Sequence, residues 1–311
     1  MADSLAQQGR ESIKAGSKSF ALASKVLPPR IRDDASMLYA WCRYCDDVID
    51  GQEMGHGQIA DYRDGQTERL QSLRDQTQEA LDGRATDPIF QGLAKVMERN
   101  DIPHHHAFEL LKGFEMDAEE RVYRSVGDIL DYSYHVAGVV GVMMAMIMGA
   151  REPATLDRAS DLGLAFQLTN IARDVIDDAR ADRVFVPQSL LQAHGAPVEP
   201  ELLCNEANWP AVHKAAVDLL DIAEDYYASA RTGIRALPFR CAWAISAALK
   251  VYREIGEVLR REGPEAWQGR VGASSGRKLR LALGAGQPVL LRRYAQDVPR
   301  EGFYDRPDSN A

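Results

Sequence analysis

No hydrophobic run in this 311-residue chain reaches the length of an ordinary membrane-spanning helix. The longest, Val136 to Ala150, has fifteen residues, three of them glycine, whereas a bilayer core needs about 20 consecutive apolar residues. It reads as a buried central helix, and any membrane association is expected to be peripheral. Met1-Ala2-Asp3-Ser4 offers neither a basic nor an apolar leader segment, so no secretory signal is expected and the cytoplasm is the expected compartment. Cysteine is scarce, with four in all. The Cys42-x-x-Cys45 pair lacks the second close pair of a zinc set and the preceding strand of a thioredoxin-like motif, so reduced, packed thiols are expected. Positive charge is in deficit: net charge is -9 and the isoelectric point is near 5.4, which argues against a general nucleic-acid binder. Gly-x-Gly-x-x-Gly, a Walker loop and a serine-nucleophile elbow are absent.

Strand-like alternation is also scarce, and what remains is helical periodicity in an ordinary globular composition of 45% apolar and 27% charged residues. The pattern predicts an all-α chain, with helices over Gln7 to Ser24, Asp33 to Asp50, Tyr62 to Leu81, Pro88 to Asn100, His104 to Asp117, Ser125 to Met148, Leu156 to about Ala179, Trp209 to Arg231, Arg240 to Arg260 and Gly276 to Leu283. Pro28-Pro29, Gly55-His56-Gly57, Asp87-Pro88, Pro103, Glu152-Pro153 and Gly263-Pro264 punctuate them. No long linker divides the helices, so residues 1–290 are expected to form one domain and residues 291–311 a polar, partly disordered tail. Asp182 to Trp209 is the least regular stretch and reads either as a flap beside a site or as an inter-helix loop. His104-His105-His106 fans out by about 100° per residue and reads as a solvated helix start rather than a metal site.

Two acidic clusters lie more than a hundred residues apart, Asp46-Asp47-Val48-Ile49-Asp50 and Asp174-Val175-Ile176-Asp177-Asp178. On a helix Asp46 and Asp50 share a face, as do Asp174 and Asp178, and like charges at that spacing destabilise the helix unless a cation shares them. Tyr39 and Arg43 lie on the first stripe; Asn170 is in register with the second, and Gln167 joins its edge. Such oxygen ligands suit Mg²⁺ or Mn²⁺, with waters and substrate phosphates completing the shell. Arg43 and Arg173 suit bidentate contact with a diphosphate. A solvated acidic surface explains the same spacing, and composition does not decide between the two.

The segments Tyr39 to Asp50 and Gln167 to Asp178 resemble the two diagnostic motifs of the squalene and phytoene synthase family. Ser17-Lys18-Ser19-Phe20, Tyr132-Ser133-Tyr134-His135-Val136-Ala137-Gly138 and Arg183-Val184-Phe185-Val186-Pro187 extend the resemblance over roughly residues 15 to 285, and bacterial phytoene synthases are most alike, Gly276-Arg277-Lys278-Leu279 included. The resemblance implies an all-α isoprenoid synthase fold, with helices around a central cavity and both acidic motifs at its mouth. It also implies Mg²⁺-dependent head-to-head condensation of two prenyl diphosphates, which for phytoene synthases are geranylgeranyl diphosphates, through a cyclopropylcarbinyl diphosphate and without NADPH. Carried onto this chain, Asp46, Asp50, Asn170, Asp174 and Asp178 would hold metal. Ser17, Lys18, Ser19, Arg43 and Arg173 would contact diphosphate, with Arg253 as a further candidate, and Tyr39, Tyr132 and Gln167 would line the reacting centre. Ala137, Gly138 and Gly141 are expected to leave room for isoprenoid tails. Rival readings are a C30 dehydrosqualene or squalene synthase using farnesyl diphosphate, a helical metal-dependent diphosphate hydrolase, and a helical scaffold without catalysis.

Overall fold

The computed structural model describes residue 7 and residues 24–52, 63–269, 271–272, 274–290 and 298–307. Among these there is no strand. The helices are α1 (Pro29–Asp50), α2 (Gln66–Leu81), α3 (Pro88–Arg99), α4 (His105–Ala118), α5 (Val126–Ser133), α6 (Val139–Ile147), α7 (Pro153–Arg180), α8 (Gln188–Ala193), α9 (Pro200–Leu203), α10 (Trp209–Ile234), α11 (Phe239–Glu262) and α12 (Ser275–Leu290). The body of the helix expected over Gln7 to Ser24 lies outside the described residues, and so do Ser17, Lys18 and Ser19.

Local chemistry sets the ends. Pro29, Pro88 and Pro153 each open a helix at its first position, where a missing N–H costs nothing, so α1 and α7 begin earlier than the apolar periodicity alone indicates. Asp87 caps α3 through Ile89 N, and Ser125 with Asp128 forms a reciprocal capping box on α5. Gly51 takes the left-handed conformation that stops α1 directly after Asp50. The expected Asp182 to Trp209 loop is partly helical, because Pro187 and Pro200 start α8 and α9 there.

A π-helical turn, Tyr134–Gly138, joins α5 to α6. The composite helix Val126–Ile147 is apolar and long enough to cross a membrane, yet Val139, Val142 and Met143 are fully buried. Its glycines serve packing rather than an open channel. A Cβ on Gly141 would lie 2.3 Å from the Ala159 carbonyl oxygen, one on Gly163 would lie 2.4 Å from that of Ala137, and one on Gly138 would meet Leu164 at 2.7 Å. The room expected for isoprenoid tails at Gly138 and Gly141 is therefore occupied by α7, whose backbone approaches closely because side chains are missing there.

The long helix α7 is the centre of the fold, packed along α10 and against α6 and α11. Leu164, Leu168, Ile171, Val175 and Ile176 give it a buried face, and Gln167, Asn170, Arg173, Asp174 and Asp178 occupy the half-buried one. Residues 298–307, placed by composition in a partly disordered tail, instead dock on α5, α7 and α10. Arg300 forks onto buried Asp161 with two 3.0 Å hydrogen bonds, Arg306 donates to Asp157 (2.7 Å) and the Tyr304 hydroxyl donates to Asp131 (2.9 Å). A polar composition hides this because the partners are buried or half-buried acids distant in sequence.

Candidate active site

The last turn of α1 carries a network of ion pairs. Arg43 donates to Asp46 (2.9 Å) and Asp47 (2.8 Å), and Arg183, three residues beyond α7, donates to Asp50 (2.9 Å). Burial and the Asp50 carboxylate push Asp46 up to about 6, against the pull of Arg43. On α7, Arg173 grips Asp174 through Nε (2.6 Å) and Nη2. The Asp178 carboxylate accepts no hydrogen bond among the described residues, and burial together with Asp174 raises its pKa well above the ordinary carboxylate value.

Arg183 joins the halves. Beyond its hydrogen bond to Asp50, its charge acts on Asp46, Asp117 and Asp178. Asp117, at the end of α4, is the other residue that sequence reasoning missed. Burial pushes it up to about 7, the Asp50 and Asp46 carboxylates adding to the effect and Arg183 opposing it. It accepts both hydrogen bonds of the Tyr132 hydroxyl (3.0 and 3.2 Å). Tyr132 is thus not an open wall of the site: it is buried, stacked on Phe185 and committed to Asp117.

An aromatic group borders Arg173 on α7. Tyr252 stacks on Phe166 with centroids 4.2 Å apart and lies near both Tyr39 and Arg173; burial pushes the Tyr39 phenol up to about 12. Gln167 is half-buried on the same stripe. Arg253 stands apart, held by Glu224 (2.7 Å) and Glu257 (2.9 Å). A cleft of about 250 Å³, open to solvent, flanks the acidic network and includes Asp117, Arg183, Tyr123 and Phe185 in its wall.

Donor chemistry fits a hard divalent cation. Among the described residues no three His, Cys, Asp or Glu side chains converge on one point, so each helix offers a partial oxygen shell of the kind that water and phosphate oxygens complete. Asn170 Oδ1 is buried without a hydrogen-bond partner, a costly arrangement unless a cation or ligand satisfies it. The decoys fall away: the four cysteines are free, with burial pushing Cys42 up to about 12. His104 and His105 are exposed as expected, but His106 is buried and pushed down to about 4.

Helices around a cavity, with acid-rich turns of α1 and α7 joined by one arginine, define the isoprenoid synthase fold. Among solved structures, a dehydrosqualene synthase with bound ligand matches with a TM-score of 0.81 at 26% identity over 94% of this chain and 98% of that one. The chain belongs to the squalene/phytoene synthase family, whose model matches residues 13–277. It is 50% identical over 300 residues to a 15-cis-phytoene synthase of Paracoccus sp., covering 96% of both chains. It is 44% identical over 306 residues to that of Pantoea ananas, covering 98% of both.

Proposed function

We propose that the protein is a phytoene synthase acting on two molecules of geranylgeranyl diphosphate. The observation that carries this reading is the 50% identity over nearly the whole chain to a 15-cis-phytoene synthase, on a site whose acids, arginines and orphaned asparagine suit a metal-bridged diphosphate. Asp46 and Asp50 on one side, and Asn170, Asp174 and Asp178 on the other, would hold Mg²⁺ or Mn²⁺. The metal supplies charge neutralisation for a departing pyrophosphate.

The chain's own residues supply the rest. Arg43, Arg173 and Arg183 are paired with carboxylates and would turn to phosphate oxygens where those acids hold a cation instead. Loss of pyrophosphate from the first substrate leaves an allylic cation, which couples to the second substrate and loses a proton to give a cyclopropylcarbinyl diphosphate. Loss of the second pyrophosphate, rearrangement and loss of another proton give the C40 triene centre, with no hydride required. Tyr39, Tyr252 and Phe166 present ring faces that stabilise cationic carbon and exclude water. Asp117 orients the Tyr132 hydroxyl.

Purified protein with geranylgeranyl diphosphate and Mg²⁺ is expected to yield a C40 hydrocarbon and two pyrophosphates per hydrocarbon, without NADPH. A C30 product made only from farnesyl diphosphate moves the assignment to dehydrosqualene or squalene synthesis, and free prenol as the sole product moves it to diphosphate hydrolysis.

A further inference from the structure

The chain is acidic overall, yet residues 275–290 carry Arg277, Lys278 and Arg280 with no acid among them, and Arg292 and Arg293 follow. On this helix, α12, Leu279, Leu283 and Leu290 are 49%, 62% and 69% exposed. At 100° per residue the three fall within about 40° of one another. Beside them Phe239, at the start of α11, is 44% exposed. A leucine stripe flanked by cations is the composition of a helix that lies in the plane of a lipid headgroup layer.

Contacts to α11 seat α12 and leave the three leucines exposed. Trp243 Nε1 donates to the Ala282 carbonyl (2.9 Å), Lys250 to that of Gly284 (3.1 Å), and Arg277 forks onto Glu254 with two 3.0 Å bonds. Gly286 admits the Trp243 ring, since a Cβ there would lie 2.7 Å from it. Phe239 in turn neighbours Trp243, at 6.1 Å between centroids, so it borders the ring on which α12 packs. Elsewhere on α11, Tyr252 stacks on Phe166 of α7, and Ile245 packs against the buried cluster that includes Cys241, Ala244 and Met148. A single helix, about 10 Å thick, therefore separates the patch from the apolar interior.

We propose that α12 with Phe239 is a docking surface for an anionic lipid bilayer. The leucines and the phenylalanine enter the headgroup boundary, and Lys278 and Arg280 meet lipid phosphates. Charge and apolarity define the surface without reference to any substrate; an apolar product gives it a purpose only under the function proposed above.

Flotation of the full-length protein with phosphatidylcholine vesicles, with and without phosphatidylglycerol, tests this without substrate. Binding is expected to require the anionic lipid and to weaken with salt. The triple variant Leu279→Glu, Leu283→Glu, Leu290→Glu is expected to lose at least about tenfold in partition, and Arg280→Gln about fivefold. Thermal melts and light scattering accompany each variant. If the triple variant melts early, Arg280→Gln decides alone. Absence of wild-type binding overturns the proposal, as does equal binding by correctly folded variants. A triple variant that turns an oligomer into a monomer while vesicle binding is unchanged assigns the patch to a second copy of the chain instead.

Discussion

The last turn of α1 and the last turns of α7 carry the same i, i+4 aspartate spacing, yet the chain treats them differently. In α1 each carboxylate has a guanidinium: Arg43 serves Asp46 and Asp47, and Arg183 serves Asp50. In α7, Arg173 is spent on Asp174 alone, leaving Asp178 raised in pKa and Asn170 Oδ1 without a partner. In the last turn of α1 every carboxylate is paired, Asp50 by an arginine from beyond α7, whereas in α7 Arg180 pairs Asp177 and the Asp178 carboxylate is left unpaired among the described residues. An added cation would therefore gain most beside Asp178, where no arginine has first to be displaced.

Neutralising the acids separates the halves most strongly. Asp178→Asn is expected to cut turnover by about a thousandfold, the scale seen when one strong transition-state electrostatic contact is lost. Asp46→Asn is expected to cost more than tenfold, with both variants keeping the wild-type circular dichroism spectrum. Equal losses from the two would remove the asymmetry, and full activity in either folded variant would contradict a metal role there.

Arg183→Ala removes the link between the halves. An intermediate effect is expected, about a hundredfold in kcat/KM, with Arg183→Lys restoring part of it because charge survives and the fork does not. A change confined to thermal stability would make Arg183 a strut only.

The smallest effect is thermodynamic. Asp117, held near 7 against an ordinary 3.8, and Asp46, near 6, bind protons more tightly when the chain is folded. The folded state therefore holds more protons than the unfolded one between about pH 4 and pH 7, and these groups contribute stability that falls as pH rises through that window. In metal-free protein, Asp117→Asn is expected to raise Tm relative to wild type near pH 7 and to leave it unchanged near pH 4. A Tm difference independent of pH would show that Asp117 is charged throughout.

Much of this was legible beforehand. Tyr39, Arg43, Asp46 and Asp50 share a stripe by helical spacing alone, as do Asn170, Asp174 and Asp178, and the long helices of the described chain follow from periodicity, whereas the short α8 and α9 do not. Asp117 and Arg183 were not legible in the same way. Asp117 sits in Met116-Asp117-Ala118-Glu119-Glu120, which reads as a solvated helix end, and only tertiary packing brings it to Tyr132. Arg183 lies in an extended segment, where no periodicity reports what a side chain faces. The tail misled for a related reason, since Arg300 meets buried Asp161 and Arg306 half-buried Asp157, some 140 to 150 residues away. Gly138 and Gly141 misled because a small residue makes room equally for a ligand or for a neighbouring backbone, and here Ala159 and Leu164 take the space.

The central claim is that the two acidic helices are halves of one site. It is tested most directly by a double-mutant cycle on turnover with Asp50→Asn, Asp178→Asn and the combined variant. If both helices hold the same diphosphate, the double variant is expected to lose activity to within about threefold of the worse single variant, because residues acting as a unit are strongly non-additive. Losses that multiply across the two substitutions would contradict a shared site.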